Sequence, residues 1–246
     1  VVNVGGDLTL DGTLNVAITP GGAFDIGLYR VLNYGGTLTN NGLEIGTMPA
    51  GAELSVQTSV AGQVNLVNTG SAVLNFWDGA AGPKFNGAVD GGSGVWQAAG
   101  GDNWADISGA VNAPYDNGAF AILAGTAGTV TIDNGPGAVT ASGLQFASSG
   151  YTITGDALAL TGPQSVVRVG HASAAGAGYV ATIAAAITGN TQLVKTDLGE
   201  LQLTGANSYT GGTAINGGTL RIADDGNLAA ATGGIRFDGG TLRTTA

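Results

Sequence analysis

The stretch from Leu193 to Ile222, LVKTDLGELQLTGANSYTGGTAINGGTLRI, constrains the fold more than any other part of the chain. Leu201 and Leu203 alternate with Gln202 and Thr204, the period-two pattern of a strand with one buried face. Gly205-Ala206-Asn207 breaks that strand, and extended chain resumes at Thr213, Ala214 and Ile215 after a polar turn over 208–212. Asn216-Gly217-Gly218 turns again, and Leu220 and Ile222 flank Arg221. The segment GGTLR then occurs twice, at 217–221 and at 239–243, a spacing of 22 residues. Short strand, sharp turn, short strand at a fixed spacing describes stacked repeats, none of which can bury its apolar face alone. Leu201, Leu203, Leu220, Ile222 and Leu242 are expected to point into one continuous apolar stack. At roughly 20–25 residues per coil the chain makes about ten coils. Stacked at about 4.8 Å, they would form a single elongated rod on the order of 50 Å long.

Composition agrees with an all-β chain. Glycine contributes 46 of 246 residues, charged residues only 10%, and hydrophobic residues 43%. The apolar residues fall in Leu-x-Leu and Val-x-Val pairs, which argues against disorder, and no long 3.6-residue period argues for helix. A net charge of −10 disfavours nucleic acid and anionic membrane as partners. No run of eighteen apolar residues exists to span a bilayer.

The residues of the opening stretch also resemble the passenger-associated repeat of autotransporters. Leu193, Lys195, Gly199, Leu201, Leu203, Gly205, Asn207, Tyr209, Gly211, Gly212, Thr213, Ile215, Gly218 and Leu220 fall on that pattern. Asp197 replaces its usual Gly and Glu200 its usual Thr, so the turn between Lys195 and Leu201 is expected to differ. The resemblance implies a right-handed parallel β-helix, exported through the outer membrane of a Gram-negative bacterium to the cell surface. With export it also implies passage through the oxidising periplasm, where the absence of cysteine avoids a disulfide-locked passenger.

Taken in order, residues 1–75 carry strand signals at Leu8–Leu10, Leu14–Ile18, Phe24–Val31, Leu38, Leu43–Ile45, Leu54–Val56 and Val64–Leu66. Turns at Asp11-Gly12, Pro20-Gly21-Gly22 and Asn40-Asn41-Gly42 separate them. Gly12-Thr13-Leu14, Tyr29-Arg30 and the segment Gly62–Leu66 are similar to the end of a β-helical passenger unit. Residues 76–117 differ in character: Trp77, Trp96, Trp104 and Tyr115 lie there among Gly, Asp and Asn. Trp77-Asp78-Gly79 and Asn103-Trp104 resemble the opening of a fresh unit, which divides the chain into 1–75 and 76–246. Beyond Ala119 the strand rhythm returns, and 170–178, GHASAAGAG, reads as a loop. Asn207 and Asn216 are candidates for hydrogen-bonded ladders between coils, or are simply turn residues facing solvent.

Evidence for catalysis is weak. Asp224-Asp225 is an adjacent acidic pair in a turn, read as solvated rather than as catalytic or, with Asn227, as a Ca²⁺ site. His171 is the sole histidine and reads as a solvent-facing loop residue, so no His cluster exists for a transition metal. No Gly-x-Ser-x-Gly elbow or phosphate loop is present. The expectation is a non-enzyme with no cofactor and no metal. Trp77, Trp96, Trp104 and Tyr115 are the candidate binding residues, because exposed aromatics stack on sugars or anchor proteins. The alternative, which the sequence favours, is that the same rings plug the core where the coil shape changes. The resemblance implies an adhesin or adhesin stalk presenting a surface to a host protein, matrix protein or glycan, with end-to-end self-association at open strand edges. A carbohydrate-active β-helix enzyme (lyase or hydrolase) and a structural spacer without ligand are the alternatives.

Overall fold

The structure, a computed structural model, describes residues 1–19, 24–230 and 233–245, so the Pro20-Gly21-Gly22 turn lies outside the described residues. The described residues form short strands joined by turns, with two 3-10 turns at Ala174–Gly178 and Asp225–Asn227. The fold is all-β. No helix among the described residues is long and apolar enough to cross a membrane.

From Phe120 onward the chain visits the same sheets in rotation. Phe120–Leu123 belongs to a nine-stranded sheet, Thr129–Asp133 to a seven-stranded sheet and Thr140–Ala141 to a three-stranded sheet. Gly143–Phe146, Thr152–Gly155 and Leu158–Leu160 repeat that circuit, and Gln164–Val169, Val180–Ile183 and Ile187–Thr188 do so again. In the seven-stranded sheet every pairing is parallel, so each strand bonds to the strand one circuit away in sequence. Leu201 stands opposite Leu220, and Leu220 opposite Leu242. Where the 170–178 segment intervenes, the circuit lengthens and Ile153 stands opposite Ile183.

This register explains the alternating pattern. Val130, Ile153, Ile183, Leu203 and Leu220 from the seven-stranded sheet meet Leu144, Val167, Leu193 and Ile215 from the nine-stranded sheet in one core. Leu201, Leu203, Leu220 and Ile222 are buried in it and Leu242 packs partly buried against it, as the alternation implied. Burying each such side chain contributes about 1.5–3 kcal/mol. Close approach of successive circuits also explains the repeat's glycines. Gly212 sits at φ 79°, and a Cβ there would lie 2.5 Å from the carbonyl oxygen of Gly234 on the next circuit.

Asparagine joins the corners. The Asn207 Oδ1 accepts from Ile187 N–H at 2.7 Å and its Nδ2 donates to the Asn227 carbonyl at 2.6 Å, so one side chain bridges the circuits before and after it. Asn227 in turn donates to Gly205 O at 3.1 Å. Asn216 instead lines a recess beside Tyr29, Arg168 and Asp197.

The expectation of about ten coils in series is corrected by the N-terminal segment. Gly27–Tyr34, Gln63–Asn68 and Leu54–Gln57 form an antiparallel sheet, with Val2–Val4 added in parallel. Smaller parallel pairs, Leu8–Leu10 with Leu38–Asn40 and Thr13–Leu14 with Glu44–Ile45, lie beside it, and the expected strand over 14–18 ends at Leu14. Leu28, Val60 and Val67 of this region pack on Phe76, Phe120, Ile122 and Ala147, which point away from the main core. The segment thus covers the outer face of the nine-stranded sheet. Phe120–Leu123 and Gly143–Phe146 are consequently buried at every position. A strand covered on both faces needs a continuous apolar run, and Phe-Ala-Ile-Leu supplies one.

Candidate functional site

Trp77, Trp96, Trp104 and Tyr115 come together, and all four are at most 3% exposed. Three short strands bring the tryptophans there. Trp104–Ala105 pairs antiparallel with Leu74–Trp77 on one side and with Asn112–Ala113 on the other, closing the nine-stranded sheet at that end. Trp96 arrives on Gly94–Gln97, the first strand of the seven-stranded sheet. The rings pack edge to face: Trp77 to Trp104 at 5.1 Å, Trp96 to Trp104 at 4.9 Å and Trp96 to Tyr115 at 5.0 Å between centroids. Such pairs add about 0.5–1.5 kcal/mol each beyond the area buried. Trp77 Nε1 donates to Gly92 O at 2.7 Å, and the Tyr115 hydroxyl donates to Ala119 O at 2.6 Å. Burial raises the Tyr115 phenol far above its ordinary pKa, so it remains a donor. Rings enclosed in this way offer no free face to a sugar or a partner. They plug the end of the core.

A buried polar knot supports the plug. Asp78, fully buried, accepts from Asp90 N–H at 2.9 Å and from Asn112 Nδ2 at 2.7 Å. Lys84 folds back so that its ammonium donates to the carbonyls of Asp78 and Gly79. In the sequence Asp78 stood out only within the Trp77-Asp78-Gly79 landmark, and Lys84 and Asn112 not at all.

A second polar cluster fastens the N-terminal sheet to the nine-stranded sheet. Gln145 pairs with Leu28 as a strand backbone would, accepting from its N–H at 2.7 Å and donating to its carbonyl at 2.8 Å. Arg168, in register beside Gln145, donates to Ile26 O at 2.9 Å, lies 4.5 Å over the Tyr29 ring and faces Asp197 at 3.4 Å. A Cβ at Gly27 would collide with both Gln145 and Arg168, so glycine is required at this crossing.

Asp197, the departure from the repeat pattern, holds the left-handed backbone usually given to glycine, at φ 63°. Its carboxylate also accepts from Ala172 N–H at 2.8 Å. Asp197 thus takes a glycine-like conformation and supplies an anion to Arg168. Glu200, the other departure, faces Arg243 at 2.5 Å and Arg221 at 3.9 Å on the strands that follow. Lys195 is fully buried, with its ammonium donating to Thr196, Asp197 and Gly217 carbonyls at 2.8 to 3.2 Å. Burial lowers its pKa to about 8, opposed by Asp197.

His171 is not the solvent-facing residue its glycine- and alanine-rich surroundings implied. It is 1% exposed, packs edge-on to Tyr179 at 5.2 Å and bonds through Nδ1 to Ser173 at 3.1 Å. Its backbone carbonyl accepts from Arg30 N–H across the docked N-terminal sheet. Burial, then the Arg30 charge, pushes its pKa down to about 4. Asp224 and Asp225 are exposed, and Asp224 accepts from Gly226 N–H while Asn227 Oδ1 accepts from Ala223 and Asp224. These atoms cap a turn. Among the described residues no group of three or more His, Cys, Asp or Glu side chains gathers at metal-binding range.

With this geometry in place, the comparisons are direct. The Passenger-associated-transport-repeat family matches residues 193–222, the stretch whose register sets the core. The chain is 62% identical over 247 residues to the Adhesin BmaC autotransporter of Brucella suis biovar 1 (strain 1330). That alignment takes in 100% of this chain and 7% of the relative, so the chain spans a small part of that protein's length. No solved structure matches the chain. The class is that of repeat-built passengers. More particularly, the repeat and the similarity along the whole chain mark it as an autotransporter passenger fragment.

Two outcomes are expected. Trp96→Ala and Trp104→Ala each lower unfolding free energy by about 3–5 kcal/mol, measured by denaturant titration; an unchanged midpoint would contradict the plug. His171 binds its proton far more weakly folded (about 4) than unfolded (6.5). Between those values the unfolded chain holds more protons, so stability rises with pH from 4 to 6.5. The melting temperature of His171→Asn should depend less on pH across that window than the parent's, and parallel curves would contradict the assignment.

Proposed function

We propose that the chain is surface-displayed adhesin or adhesin-stalk material, carried on a right-handed parallel β-helix and exported through the outer membrane. The observation that carries this reading is the rotating parallel register of the strands from Phe120 onward, coincident with the passenger-associated repeat at 193–222. Parallel strands revisited in rotation support the β-helix, and the family resemblance supplies its hand. Such a stack folds from a local nucleus and propagates circuit by circuit, which suits a chain emerging through a pore. We take 1–75 as the end of one β-helical unit and 76–246 as the next, the aromatic segment 76–117 starting the second. The relative is named an adhesin, which supports a contact role with a host protein, matrix protein or glycan.

The reading is non-enzymatic. The exposed acidic pair Asp224-Asp225 caps a turn and His171 is enclosed, so neither supports acid–base chemistry on a substrate. Beads coated with the 246-residue chain should adhere to a cultured epithelial monolayer well above albumin-coated beads. Adhesion equal to the albumin control would favour a spacer instead, and turnover of a polysaccharide abolished by Asp224→Asn would contradict the non-enzymatic reading.

A further inference from the structure

Residues 76–117 bury three tryptophans and Tyr115 yet leave Phe85 60% exposed. Its backbone is also unusual, with φ 58° in the left-handed region. A side-chain-bearing residue there is strained, and such strain persists only where the surroundings impose it. Gly87, two residues on, is left-handed as well at φ 77°, where glycine takes it without cost, whereas Phe85 carries it with a side chain.

The surroundings that impose it are rigid. Phe85 N–H donates to Asn112 Oδ1 at 2.6 Å, and Asn112 donates in turn to the buried Asp78 carboxylate. Lys84, immediately before it, is pinned inward on the Asp78 and Gly79 carbonyls, and Gly87 N–H donates to Gly109 O at 3.2 Å. A fixed framework thus turns an apolar ring outward. Val111, next to Asn112, is 55% exposed, and Pro83 is exposed as well. The rim is anionic: Asp90 holds Asn86 at 2.8 Å, and Asp106 bonds Val111 N–H. Lys84 is the sole Lys or Arg between residues 76 and 117, and its charge is drawn inward.

We infer that Phe85 is the contact by which this segment docks on a partner protein having an apolar pocket bordered by basic side chains. The inference rests on the adhesin reading above. A sugar partner is disfavoured because the nearby amides are already committed, Asn86 to Asp90 and Asn112 to Asp78. An anionic membrane is disfavoured by the acidic rim.

Phe85→Gly separates contact from structure, because glycine accepts the left-handed backbone without strain. The melting temperature should hold or rise. In the bead assay the variant should adhere about tenfold less than the parent, the scale of losing one central aromatic contact. Trypsin treatment of the monolayer should abolish parent adhesion, periodate should leave it, and 0.5 M salt should weaken it. Undiminished adhesion of Phe85→Gly overturns the inference while the adhesin reading stands. A variant that loses both adhesion and melting temperature makes Phe85 a structural residue and overturns it too. Adhesion removed by periodate and not by trypsin assigns a glycan partner instead. Parent beads that fail to adhere remove the adhesin reading and this inference together.

Discussion

From Phe120 onward the chain depends on backbone hydrogen bonds between strands one circuit apart. A strand of three to five residues cannot satisfy its own N–H and C=O groups, and in the seven-stranded sheet its partners are always the equivalent strands before and after it. Parallel pairing in register then places like positions over one another. Leu201, Leu220 and Leu242 form one such column, and Glu200 beneath Thr219 and Thr241 another. Side-chain choice follows from that geometry. Inward columns are aliphatic, corners that approach the next circuit closely are glycine, and Asn207 bridges two circuits because its amide both accepts and donates.

A stack of this kind has ends and sides, and the chain treats them differently. The end nearest residue 76 is closed by antiparallel strands and the packed rings of Trp77, Trp96, Trp104 and Tyr115. Antiparallel pairing ends the parallel ladder of the nine-stranded sheet there, with Asn112–Ala113 as its last strand. The outer side of the nine-stranded sheet is covered by the N-terminal sheet, through Leu28 and Val67 on the apolar side and Gln145, Arg168 and Asp197 on the polar side. The buried Arg168–Asp197 pair carries a large desolvation cost, offset by the Ile26 carbonyl and the Tyr29 ring. Its contribution is therefore to fix where the two sheets meet more than to add stability.

The inward residues were legible in the sequence because strand alternation reports directly on which side faces the core. Leu201, Leu203, Leu220 and Ile222 needed no more than a period of two and a repeat of 22. The lateral docking was not legible. Gln145 and Arg168 are polar residues at outward positions, which normally means solvent, and only a partner more than a hundred residues away buries them. The unbroken Phe-Ala-Ile-Leu run at 120–123 was the available signal, since a strand wetted on one face would alternate. The aromatics were legible only as a cluster. Aromatic density marked 76–117 as special, but composition does not distinguish an end plug from a ligand platform. Phe85, the ring that does reach solvent, differs from the others only by its φ and its hydrogen bond to Asn112.

The register itself is the central claim, and cysteine cross-linking tests it in a chain with no native cysteine. Thr129, Thr152 and Thr182 occupy one outward column, Thr129 paired with Thr152 and Thr152 with Thr182. Adjacent parallel strands lie about 4.8 Å apart, within reach of a disulfide, whereas strands two apart exceed the limit of about 7 Å between Cα atoms. Under mild oxidation, Thr129→Cys with Thr152→Cys should close an intramolecular disulfide in the folded chain, and Thr129→Cys with Thr182→Cys should not. Failure of the first pair, or equal closure of both, would contradict the parallel stacking on which the rest depends.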